Sequence, residues 1–592
     1  MKPIFVPMKR RNLSILCLCF LLAANLLSAC GEKEVQLRIV ATSDVHGNFF
    51  PYDFINDRPA SGSLARVEAY LTEQRQQWGD RLIYVENGDI LQGQPSAYYY
   101  NTVAVADTHL ANRLLNYMGC EVATLGNHDI ETGGPTYQRY IHGADYAVLG
   151  ANILLGDTAH NFVPPYSIIE RHGVKVAVLG MITPAIPNWL PEELWRELTF
   201  EDMTASARRW VAYLKKNEHP DVIVGLFHSG FDGGIVTDAY AENATEQVAR
   251  EVPGFDAIFF GHDHRLCCDS VACADGRMVT IVNPGNNANH VAQLTFSLMK
   301  TGSKWHVAKV DAANIAMKDY EPDEAYMTEF APAMDTVKQY VSKRIGTFQK
   351  TISTQDAYFG PSAFVDFIHK MQLDITHAEI SLAAPLSFNA TIEAGDVYVR
   401  DMFNLYKYEN MLYTMLLTGR EVKGHLEMSY GQWTNQMHSA ADHLLLFADE
   451  PSDEAGDKNS GKGRPKFKNI FYNFDSAAGI IYEVDVTKPA GERVRILSMA
   501  DGTPFDLDKT YRVAINSYRG NGGGELLTKG AGIPQEELSS RIDYSTDVDL
   551  RYYMLNYIEI RDTLDPQPLG TWKFVPEAWT KAAAARDRAL LF

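Results

Sequence analysis

Between residues 36 and about 312, short apolar runs alternate with amphipathic stretches bounded by Gly, Asp, Asn and Pro. The runs at 37–41, 82–86, 122–125, 174–181, 222–227, 257–260 and 279–282 are brief, rich in Val, Ile, Leu and Phe and flanked by turn residues, the pattern of buried strands. The stretches at 62–77, 107–118, 203–217 and 241–252 repeat apolar residues at three- and four-residue spacing and predict helices. Strand and helix in alternation predict a layered α/β domain over 36–318. Residues 323–344 then run through helix formers without a glycine, which predicts a linker helix within 319–347. Beyond it, helical patterns at 362–374 and 419–430 and strand patterns at 479–486 and 511–516 predict a second α/β or α+β unit over 348–592. The stretch 449–468 is polar, charged and rich in Gly, Pro, Asp and Lys, and reads as a mobile loop.

A chain of 592 residues is too long for one core, in keeping with two large domains. Residues 1–30 stand apart. Lys9-Arg10-Arg11 is a basic start, 15–27 is an apolar run shorter than a bilayer span, and Leu27-Ser28-Ala29-Cys30 closes it with small residues, the layout of an export signal. The closing tetrad resembles a bacterial lipobox. That resemblance implies lipidation of Cys30 and an exported lipoprotein anchored in the bacterial cell envelope, on the periplasmic side or at the cell surface. The alternative is cleavage near Ala29, with Cys30 a bystander.

The formal charge is −20, and the leader holds Lys2, Lys9, Arg10 and Arg11 with no acid, so the mature chain is near −24. Such a chain repels polyanions, which argues against DNA or long RNA as partner; a small phosphate ester stays compatible, because bound cations reverse the sign locally. Cys17 and Cys19 lie in the leader and Cys120 in an apolar stretch as a core thiol. Cys267, Cys268 and Cys273 fall in what reads as a loop after His264, where an oxidising compartment allows one disulfide. A zinc knuckle there lacks a fourth ligand at metal spacing.

Chemistry concentrates at the ends of the predicted strands. Five of them run into Asp44-Val45-His46-Gly47-Asn48, Gly88-Asp89, Gly126-Asn127-His128-Asp129, His228-Ser229-Gly230 and Gly261-His262-Asp263-His264. A lone Asp at such a place is usually a helix cap, and a lone His a core or surface residue. Seven side chains of ligand type, Asp44, His46, Asp89, Asn127, His228, His262 and His264, recurring at five strand ends are what a two-metal site requires, with Asp89 able to bridge. Nitrogen and oxygen donors without thiolates suit Mn²⁺, Zn²⁺, Co²⁺ or Fe.

In this order the motifs resemble the calcineurin-like metallophosphoesterases, over roughly residues 36–300. The resemblance implies one metal on Asp44, His46, Asp89 and His264, and a second on Asp89, Asn127, His228 and His262. It also implies a catalytic His128 that meets the charge developing in the transition state, paired with an acid three residues on. That position holds Glu131 here, where the family carries Asp.

The second unit resembles the carboxy-terminal, nucleotide-binding domain of bacterial 5′-nucleotidases, within them the 2′,3′-cyclic-nucleotide 2′-phosphodiesterase/3′-nucleotidase group. The resemblance is carried by Asn404-Leu405-Tyr406-Lys407-Tyr408-Glu409-Asn410, Tyr472-Asn473-Phe474-Asp475 and Asn516-Ser517-Tyr518-Arg519-Gly520-Asn521-Gly522-Gly523-Gly524. It implies a nucleotide or cyclic-nucleotide substrate whose base stacks between Tyr408 and Tyr518, with Asn389, Gly522 and Gly523 as further substrate contacts. One departure bears on specificity: the segment from Ala383 to Ala390 has no Arg or Gly, where 5′-nucleotidases hold phosphate with an Arg after a Gly-rich run. The expectation is therefore a two-metal cyclic phosphodiesterase/3′-nucleotidase. A 5′-nucleotidase or nucleotide-sugar hydrolase is the alternative, a thiosulfate-ester hydrolase leaves the aromatic pair without a purpose, and a non-catalytic metal- or nucleotide-binding surface lipoprotein is the alternative of another class.

Overall fold

The computed structural model describes residues 34–156, 158, 160–448 and 465–592. The leader with Cys30, and 449–464 of the stretch read as a mobile loop, lie outside the described residues.

The strands that build the first domain are, in chain order, β1 (Glu34–Thr42), β2 (Leu82–Glu86), β3 (Val122–Thr124), β4 (Ala147–Leu149), β5 (Tyr166–Arg171), β6 (Val174–Ile182), β7 (Val222–His228), β8 (Ala257–Phe260), β9 (Leu266–Ala272), β10 (Met278–Pro284), β11 (His290–Thr301) and β12 (Lys304–Ala316). They form two six-stranded sheets, ordered β12-β11-β1-β2-β3-β4 and β9-β10-β8-β7-β6-β5. β1 to β4 run parallel, as do β6, β7, β8 and β10. The sheets bury one shared apolar layer: Leu37, Ile39, Ile83 and Val85 of the first meet Val176, Val178, Val224 and Leu226 of the second. Such strands must be apolar on both faces, because helices cover the outside: α1 (Leu64–Trp78) and α2 (Pro95–Thr102) over the first sheet, α4 (Met203–Tyr213) and α5 (Thr245–Glu251) over the second. A short turn between these pairs, α3 (Asn127–Glu131), follows β3 directly.

Helix α6 (Glu324–Val341) forms where a linker is expected, capped by the Asp323 side chain, but it is no free spacer. Tyr326, Phe330, Ala333, Val337 and Val341 share one face and enter the first-domain core, and the Tyr326 hydroxyl donates to the Phe49 carbonyl at 3.0 Å. Any bend between the domains therefore lies beyond the helix. The three cysteines after His264 also differ from the expectation. Cys267 and Cys268 sit on the edge strand β9, where neighbouring side chains face opposite ways; Cys273 is buried just beyond it, and all three thiols are free.

The second domain contains α7 (Ala363–Thr376), α8 (Gly419–Trp433) and α9 (Leu550–Arg561) beside the strands β13 (Ile380–Ala383), β14 (Leu412–Thr418), β15 (Ser476–Ala478), β16 (Ile480–Asp485), β17 (Val494–Met499), β18 (Thr510–Asn516), β19 (Ile542–Ser545) and β20 (Trp572–Val575). A mixed sheet ordered β15-β13-β18-β14-β19 lies at its centre, and β17-β16-β20 form a smaller one. Beneath the central sheet sits a buried ion pair. The Arg519 guanidinium donates to both oxygens of Asp475 at 3.1 Å, and His425 Nε2 stands 2.7 Å from the same carboxylate. Burial pushes the Asp475 carboxyl up, but Arg519 and His425 outweigh it and hold the group at about 2. Its contribution to stability is thus complete above the ordinary carboxylate range and is lost as pH falls toward 2. Asp475→Ala, which strands a buried guanidinium, is expected to cost about 3–5 kcal/mol, read from the urea midpoint of unfolding at pH 7.

Candidate active site

β1, β2 and β3 of one sheet and β7 and β8 of the other end at the same edge of the sandwich, so their carboxyl ends deliver side chains to one cleft. Asp44 and His46 follow β1, Asp89 follows β2, Asn127 and His128 follow β3, His228 closes β7, and His262 and His264 follow β8. Backbone bonds lace the ends together: Asp44 N–H donates to the Gly88 carbonyl (3.0 Å) and His46 N–H to the Asp89 carbonyl (2.9 Å). Asp44, His46, Asp89, His262 and His264 all have left-handed backbone, with φ of 51°, 48°, 58°, 72° and 60°. Asp and His tolerate that region better than most residues, yet each costs on the order of 1 kcal/mol.

The ligand atoms fall into two groups, Asp44–His46–His264 and Asp89–His228–His262, each within 4.8 Å. The lone pairs show that cations fit. His46 Nδ1–H donates to the Gln92 carbonyl (3.2 Å), which leaves the Nε2 lone pair facing His264 Nε2 at 3.0 Å. His228 Nδ1–H donates to the Asn87 carbonyl (2.7 Å), and its Nε2 points at Asn127 Oδ1 (3.2 Å) and Asp89 Oδ2 (3.1 Å). Asp89 Oδ2 is buried and makes no hydrogen bond. Imidazole nitrogens, an amide oxygen and a buried carboxylate oxygen converging at such distances form a donor set that a shared cation would fit.

Charge gives the same answer. Burial pushes His46 down to about 3, so that ring is neutral. Asp44, Glu86, Asp89 and Asp129 are all buried around it. Burial and the neighbouring Asp129 push Glu86 far up, and burial with Asp89 pushes Asp129 up to about 6. Burial also opposes the charges of Asp44 and Asp89, but the imidazoles, His228 foremost, keep both ionised, with Asp44 at about 2. Asp44 and Asp89 are thus the carboxylates of the two ligand groups that stay charged for a divalent cation to meet.

Asp129 anchors the geometry. Its carboxylate accepts N–H bonds from Asp89 (2.9 Å), Ile90 (3.0 Å), Leu91 (2.9 Å) and Gly126 (2.8 Å), fixing the loop after β2 to the turn after β3. Gly126 must lack a side chain, since a Cβ there would collide with Asp89 Oδ1. His128 and Glu131 lie three apart on α3, hence on one face, and His128 Nδ1 stands 2.5 Å from Glu131 Oε2. Burial pulls the His128 imidazole down, but Asp89 and Glu131 outweigh it and raise it to about 9. Its ring packs edge-on against His46, with centroids 5.5 Å apart.

The second domain closes over this centre. Tyr408 and Tyr518 do not touch; Tyr472, whose motif the sequence displays without a role, stands edge-on to both, at 6.1 and 6.2 Å. Burial, the neighbouring tyrosines and Glu131 push the Tyr408 phenol far up, and Glu242 acts on Tyr472 and Tyr518 in the same sense, which places the aromatic trio beside the first-domain acids. Arg551 of α9 positions Tyr408. It is buried between the rings of Tyr98 (4.7 Å) and Phe403 (4.1 Å) and donates to the carbonyls of Tyr406 (3.1 Å) and Lys407 (2.8 Å). Tyr98, from first-domain helix α2, donates to Asp549 at 3.0 Å. On the other side, Asn521 Nδ2 donates to the Trp189 carbonyl at 3.2 Å, and Trp189 lies against the His262 ring. Asn389 is exposed and accepts from Gln355 Nε2 (2.8 Å). Gly522 and Gly523 form the turn behind Tyr518, where a Cβ on Gly523 would strike the tyrosine ring. Glu242, Tyr472, Trp189 and Arg551 escape sequence reasoning because each acts through a contact distant in the chain.

A two-sheet α/β sandwich with paired Asp/His ligand groups at its strand ends, joined to an aromatic-bearing second domain, defines a metal-dependent phosphoester hydrolase. Residues 37–266 match the calcineurin-like phosphoesterase family and 344–529 the 5′-nucleotidase C-terminal domain. The chain is a calcineurin-like metallophosphoesterase with a 5′-nucleotidase C-terminal domain. It is 28% identical to the 2′,3′-cyclic-nucleotide 2′-phosphodiesterase/3′-nucleotidase of Salmonella typhimurium, over 85% of this chain and 84% of that one. It is 27% identical to the trifunctional nucleotide phosphoesterase YfkN of Bacillus subtilis over 92% of this chain, but spans only 39% of that protein's length. A Staphylococcus aureus protein crystallised with α-ketoglutarate shares the fold at a TM-score of 0.73 and 21% identity, over 91% of this chain and all of that one.

Two substitutions test the centre. Asp89→Ala should abolish uptake of both cations. Asp129→Ala, which frees four N–H groups and loosens the Asp89 loop, should weaken metal binding by roughly 10–100-fold, as second-shell losses do, measured as cation content after dialysis.

Proposed function

We propose that the chain hydrolyses 2′,3′-cyclic nucleotides to 3′-nucleotides and then releases phosphate from these at the same centre. The observation that carries the reading is the cluster of Tyr408, Tyr472 and Tyr518 on a domain whose Asn521, three residues past Tyr518, bonds to Trp189, which lies against the His262 ring; it supports a base-stacking surface next to the paired ligand groups. The likeness to the Salmonella typhimurium 2′,3′-cyclic-nucleotide 2′-phosphodiesterase/3′-nucleotidase supports it. So does the missing Arg in the segment from Ala383 to Ala390, because the nearby guanidiniums of Arg519 and Arg551 are buried in internal bonds and have no place for a 5′-phosphate.

Asp44, His46, Asp89 and His264 would hold one divalent cation, and Asp89, Asn127, His228 and His262 the other. Such a pair supplies Lewis-acid activation of water and neutralises the phosphate charge. His128, held by Glu131, donates its proton to the departing ribose oxygen, and Glu131 keeps the ring turned toward that oxygen. Tyr408 and Tyr518 grip the base, Tyr472 closes the back of the slot, and the turn at Gly522 and Gly523 sets the Tyr518 ring. Asn389, away from the trio, takes a peripheral place at most. Among the described residues no helix is long and apolar enough to cross a membrane; the lipobox-like Leu27-Ser28-Ala29-Cys30 supports attachment through a lipidated Cys30.

Assayed side by side, 2′,3′-cAMP and 3′-AMP should turn over far faster than 5′-AMP; 5′-AMP as the sole good substrate rejects the reading in favour of a 5′-nucleotidase. Tyr518→Ala should raise KM by roughly 5- to 150-fold, the equivalent of about 1–3 kcal/mol of stacking, with cation content unchanged. His128→Asn should lower kcat by roughly 10²–10⁴-fold while both cations remain bound.

A further inference from the structure

We propose that Glu242 is the positioning residue for His262, deciding which of its ring nitrogens faces the cation held by the Asp89 group; this rests on the two-metal reading above. His262 Nε2 stands 3.2 Å from Glu242 Oε1. The other carboxylate oxygen accepts the Ile235 N–H at 2.6 Å, and the Glu242 N–H returns a bond to the Ile235 carbonyl at 2.8 Å. The Glu242 carbonyl accepts from both Thr183 Oγ1 (3.0 Å) and Ser229 Oγ (2.9 Å). Four bonds thus pin the residue and leave one oxygen free to aim at the imidazole. Trp189 lies over the same ring, with centroids 5.6 Å apart and planes 33° from parallel, so the ring is fixed in tilt as well as in direction.

The contrast with the other buried histidines gives this arrangement its meaning. His46 and His228 each give Nδ1–H to a backbone carbonyl and so present Nε2 to the site. His262 instead has its Nε2 on a carboxylate. With Nε2–H on Glu242, Nδ1 carries the lone pair, and a carboxylate acceptor makes that nitrogen a stronger donor to a cation than a carbonyl would. Glu242 itself stands outside both ligand groups and acts only through His262. A Gln at 242 cannot accept from both the Ile235 N–H and the imidazole N–H, because one of its two ends is itself a donor.

The test uses the full chain, stripped with a chelator and titrated with Mn²⁺ by calorimetry. Wild type should take up two cations. Glu242→Gln should weaken one site by roughly 10–100-fold and leave the other, and the thermal midpoint of the stripped protein, unchanged. Glu242→Asp should recover part of the affinity, and His228→Ala should weaken the same single site. Wild-type affinity at both sites in Glu242→Gln overturns the proposal. Equal weakening of both sites with a lower thermal midpoint overturns it too, by marking Glu242 as merely structural. Uptake of fewer than two cations by the wild type defeats the two-metal reading itself, and this proposal with it.

Discussion

The candidate metal centre depends on one carboxylate outside both of its ligand groups. Asp129 collects four backbone N–H groups from two loops, and those loops carry Asp89 and the Asn127–His128 pair. Strand pairing brings the ends of β2 and β3 near each other, but it cannot set distances beyond the last ladder bond. A single acceptor shared between the loops does, and it does so with polar groups that burial would otherwise leave unsatisfied. Its cost is a fourth buried acid beside Asp44, Glu86 and Asp89.

The same economy governs the backbone. Five ligands adopt left-handed conformations immediately after strands, which lets a side chain turn back into the cleft within one or two residues instead of leaving with the loop. Strain of this kind persists only where surroundings over-determine it, and here those surroundings are the strand ladders, the cross-loop bonds and the packed glycines. The second domain obeys a parallel rule: Arg551 and the turn behind Tyr518 hold the rings in place, with Lys407 over one face of Tyr408 and Arg519 over one face of Tyr518.

The candidate ligands are legible in the sequence because each stands within five residues of the end of an apolar run and most stand beside a glycine. α3 was legible in outline too, since Glu131 three residues after His128 shares its face. The supporting residues were not. Glu242 lies twenty residues before His262, in a stretch that reads as the first turn of a helix although the helix starts only at Thr245, and Arg551 supports Tyr408 across 143 positions of chain, so neither contact leaves a local signal. Helix α6 was legible as a helix and misread as a spacer, although Tyr326, Phe330, Ala333 and Val337 already show a stripe that needs a partner. The cysteine segment was misread because β9 is an edge strand with mostly exposed residues, and such strands lack the apolar run that marks buried ones.

Among the ligands His264 differs in exposure: 39% of its side chain meets solvent, while Asp44, Asp89 and His228 are shut in. A cation on the Asp44–His46–His264 group would sit beside a side chain open to water, and one on the Asp89–His228–His262 group would be enclosed, so the first group is the one through which ions would exchange with solvent.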